Sequence, residues 1–142
     1  MAAHSKKMNI AIEQLEDGLA LFFDKRYMSS LTLSGAATEI FGVLFEEIHG
    51  VHPIDIDWES TNRIRTALGN EHISKGRLKQ LQNRAKNIVK HHDLGSPNKV
   101  YLDRFAEAFI MIQRGTNLAN ALKLSFKHKA RFEKWLQINF GT

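Results

Sequence analysis

The stretch from Met28 to Phe45, MSSLTLSGAATEIFGVLF, constrains this chain more than any other. It is long enough for about five helical turns, and Glu39 is its only formal charge. At the helical period, Thr32, Gly35, Glu39, Gly42 and Glu46 recur at spacings of three and four and form one narrow stripe. Leu33, Ala36, Ala37, Ile40, Phe41, Val43 and Leu44 fill most of the remaining circumference. A helix that is apolar on most sides is a buried one. The stretch is therefore predicted to be the most buried helix and to touch most of the others. Its two glycines would admit a close neighbour, with Glu39 held between them. An unpaired buried carboxylate is costly, so Glu39 is expected to meet a polar partner, with Arg84, Asn87 and His91 the candidates by type.

The rest of the composition sets limits. A chain of 142 residues is one domain by size, 1–142, with enough length to bury a core. Two prolines and few alternating β-branched runs argue against sheet. The absence of cysteine excludes disulfides, zinc–thiolate sites and a thiol nucleophile, and fits a reducing cytoplasm. The first apolar run follows Lys6 and Lys7 and is amphipathic, unlike a secretory signal. Met28–Phe45 carries too many Ser, Thr and Gly residues for a lipid-facing span, so a soluble protein without a membrane partner is expected. Charge is unevenly placed. Residues 1–60 hold 4 Lys/Arg and 10 Asp/Glu, whereas residues 61–142 hold 16 and 5. Such a layout either attracts an anionic partner to one end, lets subunits associate, or reflects halves that complement each other.

Along the chain, Met8, Ile12, Leu15, Leu19 and Phe22 mark a first helix from about Ser5 to Asp24. The polar turn Asp24-Lys25-Arg26 leads into the central helix, which Gly50 should stop near His49. Val51–Ile56 reads as a loop, with Asp57 capping a helix Trp58–Leu68 that Gly69 ends. Ser74 caps a fourth helix running to about His92, followed by the breaker cluster Leu94–Asn98. A fifth helix is predicted from Lys99 to Arg114, with Leu102, Phe105, Phe109 and Ile112 on one face. A short piece after Gly115 then leads to a last helix, Phe126 to Asn139. The prediction is an all-α bundle of about six helices without a linker.

Two sets of polar residues could carry chemistry. In the fourth helix, Leu78, Leu81, Ala85, Ile88 and His92 form the apolar seam, and Arg84, Asn87 and His91 flank it at i, i+3 and i+7. Lys86 and Lys90 are expected on the opposite, solvated side. The flanking residues either make caps and local hydrogen bonds or face a cleft or subunit interface beside Glu39, and the macrodipole alone favours histidine at a helix C-terminus. In the last helix, Lys127, Arg131 and Lys134 share one face, while Phe132, Trp135, Leu136 and Phe140 occupy another. Basic residues with aromatics are found in nucleic-acid binders. Here the two sets diverge, which suits core aromatics under a solvated basic face.

The segments DKRYMSSLTLSGAATEIFG and NRAKNIVKHHD resemble a group of small bacterial helical proteins with the patterns Y-x3-L-x-L-x-GAA-x-EI-x-G and basic-Asn-x2-Lys-His. That resemblance covers Tyr27–Gly42 and Arg84–Asp93 and implies a helical fold without an agreed activity. More distantly, Arg84-x6-His91 is similar to the R-x4–6-H motif of the HEPN superfamily, which includes metal-independent endoribonucleases that work as dimers. This implies a HEPN-like up-and-down architecture and a homodimer, with His91 as general base and Arg84 stabilising charge on RNA phosphate. Ala85 replaces the polar residue usual after the motif's arginine, and Lys86-x4-His91 fits the same spacing.

Glu46, His49 and His52, with Asp55, Asp57 and His72 nearby, are the natural metal candidates. The E-x2-H pair occurs once where di-iron bundles need it twice, and Gly50 intervenes before His52, so no metal is expected. Walker, GxGxxG, GxSxG and HExxH motifs are absent, and no cofactor is expected. The leading functional class is a non-enzymatic interaction or ligand-binding domain, with Glu39, Asn87, Lys127, Arg131 and Lys134 as binding candidates. The alternative is a HEPN-like RNA-binding or RNA-cleaving protein using Arg84 and His91. An RNA or other anionic partner suits both.

Overall fold

The computed structural model describes residues 1–141 and is all-α. Its helices are α1 (Lys7–Phe23), α2 (Tyr27–His49), α3 (Pro53–Ala67), α4 (Lys75–Lys90), α5 (Arg104–Ala121) and α6 (Lys129–Phe140). The chain divides into two compact units. Unit one comprises residues 1–41 and 101–142, and unit two residues 42–100. One boundary falls inside α2, between Phe41 and Gly42, and the other between Val100 and Tyr101, in the non-helical stretch after α4.

Unit one is organised by small residues. Ala11, Leu15, Gly18, Leu19 and Phe22 form the buried face of α1. On α2 the fully buried residues include Ser30, Leu31, Ser34, Ala37 and Phe41. Gly18 lets α1 lie directly on α2: a Cβ there would stand 2.5 Å from Ser34 Oγ. The Ser30 hydroxyl donates to the Gly18 carbonyl at 2.7 Å, so the crossing is hydrogen-bonded as well as close. Gly115 plays the same part on α5, where an added Cβ would lie 3.1 Å from both Leu15 Cδ1 and Thr38 Oγ1. Gly115 therefore sits within a helix and does not end one. α5 begins later than expected because Asp103 caps it, accepting from the Ala106 N–H at 2.9 Å, and it continues to Ala121.

Phe22 is the centre of an aromatic cluster. Its ring lies 5.4–6.5 Å from those of Tyr27, Phe105, Phe109, Phe132 and Trp135. Offset and edge-to-face pairs of this kind are each worth about 0.5–1.5 kcal/mol beyond the area they bury. Of the aromatics of α6, Phe132 is buried and Trp135 half-buried, while Phe140, stacked on Phe109, is exposed at the cluster's margin.

The stripe expected at the heart of α2 is displaced. Gly35 and Gly42 are buried, but Thr32, Glu39 and Glu46 are exposed. Small serines lie at the crossing, while Val43 is half in solvent at 50% exposure. Glu39, expected to be buried, is instead exposed. By length and composition α2 could cross a membrane, with a mean hydropathy of 1.3 over its most apolar window, of which 39% is buried in the fold.

Unit two contains the end of α2 with α3 and α4. Gly50, at φ +73°, stops α2 as expected. α3 then starts at Pro53 and not at Trp58, because proline suits the first helical turn and His52 caps it. His52 Nδ1 accepts from the Ile54 N–H at 3.1 Å. The other side of its ring lies against α2, where a Cβ on Gly42 would stand 3.1 Å from His52 Nε2. The loop between α3 and α4 is clipped down by α3 side chains. Buried Asn62 accepts from the Ile73 N–H at 2.8 Å and donates to the Ile73 carbonyl at 3.2 Å. Trp58 Nε1 donates to that same carbonyl at 2.7 Å. Ser74 caps α4 through the Arg77 N–H at 3.1 Å.

The seam of α4 is rotated from the one expected. Leu78, Ala85 and Lys86 are buried, Leu81 is 46% exposed, and His92 lies beyond the helix and is exposed. Lys86, expected in solvent, is 5% exposed. Lys86 is not without an interaction partner there.

Candidate functional site

The rotation of α4 determines which residues it presents. Arg77, Gln80, Arg84, Asn87 and His91 recur at three, four, three and four, forming one row, and all five are exposed. At 1.5 Å per residue the row is about 21 Å long. Exposed Lys79 and Lys90 run beside it. His91 is the C-cap, and its N–H still bonds to the Asn87 carbonyl at 3.1 Å, so its Cα stays on the row while its backbone turns away. Among the described residues, the side chains of Arg77, Lys79, Gln80, Arg84, Asn87, Lys90 and His91 make no hydrogen bond or ion pair.

α4 carries six cations, Lys75, Arg77, Lys79, Arg84, Lys86 and Lys90, and no carboxylate. The acids of unit two lie off α4, with Glu46 and Glu47 on α2, Asp55, Asp57 and Glu59 on α3, Glu71 in the loop before α4 and Asp93 in the stretch after it. Two of these are engaged by α4. Lys75 forms an ion pair with Asp55, and Gln82 donates to Asp57 at 3.1 Å. The bond from Lys75 holds the Asp55 carboxyl below its ordinary value of 3.8, with the charges of Lys75 and His52 adding to the effect. What remains for solvent along α4 is positive charge with amide and imidazole donors between.

The basic residues near the C-terminus are arranged differently. Lys127 precedes α6, and its backbone N–H donates to Glu16 Oε2 at 2.8 Å. The Arg131 guanidinium lies 4.0 Å from the centre of the Phe23 ring, a cation–π contact that anchors it to unit one. Lys134 is exposed beside Glu133. Lys127, Arg131 and Lys134 do not form a single helical face. Glu39 belongs to unit one, while Arg84, Asn87 and His91 belong to unit two.

Of the acids and histidines weighed as metal ligands, Glu46 and His49 are exposed and the other four are engaged elsewhere. His52 caps α3, Asp55 pairs with Lys75, Asp57 accepts from Gln82, and His72 Nε2 shares a 2.8 Å hydrogen bond with Thr66 Oγ1. Among the described residues, no three such side chains are grouped to hold a metal ion. Sequence reasoning missed a surface hollow of about 470 Å³ beside α3, lined by Trp58, Glu59, Asn62, Arg63, Thr66 and His72. The i, i+4 series Trp58, Asn62, Thr66 could have revealed that face. Its groups bond to the loop, and Glu59 and Arg63 place opposite charges on its rim, so it favours neither sign of ligand. No protein family, curated protein or solved structure matches this chain.

Proposed function

We propose that this chain is a non-enzymatic interaction domain that engages an anionic macromolecule through the exposed face of α4. The observation that carries this reading is the row Arg77, Gln80, Arg84, Asn87, His91 with Lys79 and Lys90 alongside, solvent-facing, without side-chain partners among the described residues and without a carboxylate on the same helix. A positive face on a helix without carboxylates orients the unit toward negative charge and speeds encounter. Binding of the intact chain to labelled nucleic acid and to heparin tests it. Arg84→Glu with Lys90→Glu should weaken binding by at least about tenfold, with the melting transition unchanged. Equal binding by the variant would refute the assignment of the surface.

A second reading rests on Arg84 and His91 lying on the same exposed row. In a metal-independent ribonuclease, His91 would take the 2′-hydroxyl proton and Arg84 would stabilise the phosphorane, with a homodimer supplying a second pair. Cleavage of RNA should then survive EDTA and fall by roughly 100-fold in His91→Ala. RNA that stays intact with the purified wild-type chain rules this reading out.

A further inference from the structure

Resting on the proposal that α4 binds an anionic macromolecule, we infer that the partner is B-form duplex DNA, with α4 lying in its major groove. The row holds two guanidiniums and two carboxamides in alternation, Arg77, Gln80, Arg84, Asn87. These are the side chains that make paired hydrogen bonds to base edges, arginine to guanine and Asn or Gln to adenine. Lys79 and Lys90 lie to one side of the row, where a groove wall would present phosphates. Only half-buried Asn83, Gly76 and the row itself separate them from Arg84, so the exposed arc covers about half the helix circumference. That arc can enter a groove about 12 Å wide.

Other polyanions fit less well. The major groove of A-form RNA is too deep and narrow for side chains to read. Single strands are held by stacking on aromatics, and the exposed face of α4 has none. A lipid surface calls for a large apolar face beside the basic one, whereas Leu81, under half exposed, is the one exposed large apolar residue of α4.

The test is selection of duplexes from a randomised 20-base-pair pool with the full chain. Binding is then measured by anisotropy against the unselected pool, duplex RNA of the same length, and polyglutamate. The expected result is a selected sequence bound at least about tenfold more tightly than the pool. Asn87→Ala should shrink that ratio to about twofold, while Lys79→Gln with Lys90→Gln should weaken both duplexes and flatten the salt dependence by up to about two units of log–log slope. Failure to enrich any sequence, or binding of duplex RNA or polyglutamate as tight as that of selected DNA, overturns the inference and leaves the anionic-partner reading standing. If no polyanion binds, both fall.

Discussion

Gly18→Ala is the substitution that the packing of unit one constrains most sharply. In an open helix this change gains about 1 kcal/mol from propensity, and a buried methyl adds up to about 0.8 kcal/mol. Here the new Cβ would stand 2.5 Å from Ser34 Oγ, 3.4 Å from the Ser34 nitrogen and 3.5 Å from the Ser30 carbonyl oxygen. The first distance is impossible without movement; the others are ordinary contacts. If α1 shifts, the 2.7 Å bond from Ser30 to the Gly18 carbonyl is lost as well, at about 1 kcal/mol. Overpacking costs about 1–3 kcal/mol, so the net expected effect is a destabilisation of roughly 1–2 kcal/mol.

Ser34 supplies the control. Its hydroxyl is buried and makes no hydrogen bond among the described residues. Ser34→Ala should therefore be neutral or stabilise by up to about 1 kcal/mol. It also removes the 2.5 Å conflict, so Gly18→Ala in that background should become neutral or stabilising, a coupling of about 2 kcal/mol. Each unit contains one tryptophan, Trp135 in unit one and Trp58 in unit two. Urea unfolding followed by fluorescence in a Trp58→Phe background thus reports unit one alone. A neutral Gly18→Ala, or equal costs in the two backgrounds, would show that the Ser34 hydroxyl simply swings aside and that the close crossing is not constrained.

Three further outcomes follow from unit two. Asn62→Ala removes two hydrogen bonds to Ile73 from a buried site and should lower stability by about 2 kcal/mol, measured by urea unfolding followed through Trp58; a loss under about 0.5 kcal/mol would contradict the clip. His52→Ala deletes the α3 cap and should cost about 1 kcal/mol, whereas His52→Ser, which can still accept from Ile54, should recover most of it. The carboxyl of Asp55 sits below its ordinary value of 3.8 because of Lys75. A depressed folded value means that the ionised form adds stability above the ordinary range, lost as pH falls through the folded value. Thermal melts below about pH 4 should therefore decline less steeply in Asp55→Asn than in the wild type, and parallel profiles would exclude the pair as a source of acid sensitivity.

Periodicity and stop signals carried most of the fold. The seam of α1, Gly50 and Gly69 as stops, and Ser74 as a cap were legible because each acts through its own few neighbours. Boundaries set by less common chemistry were not. A histidine cap with proline in the first turn is weaker than an Asp signal, so Asp57 was preferred to His52. Gly115 looked like a terminator, since a helix-lining glycine and a stop glycine are the same letter until the opposing Leu15 and Thr38 are known. The burial of Ser30 and Ser34 was hidden for a similar reason: small polar residues enter a core when a glycine across from them brings backbones together. For the site, Arg84, Asn87 and His91 were found as a row, but its extension to Arg77 and Gln80 was concealed by a seam drawn through Leu81. Lys86 is buried with Leu78 and Ala85, so the helix is rotated relative to that seam, and no apolar count registers a lysine as core.

The central claim, that α4 is the binding face, is tested most directly by amide chemical-shift mapping of the intact, isotope-labelled chain during titration with a short DNA duplex at low salt. The account expects the largest shifts along Arg77–His91, centred on Arg84 and Asn87, with saturation and with reversal on adding salt. Shifts that instead concentrate at Lys127, Arg131 and Lys134, or that spread evenly over both units, would contradict it.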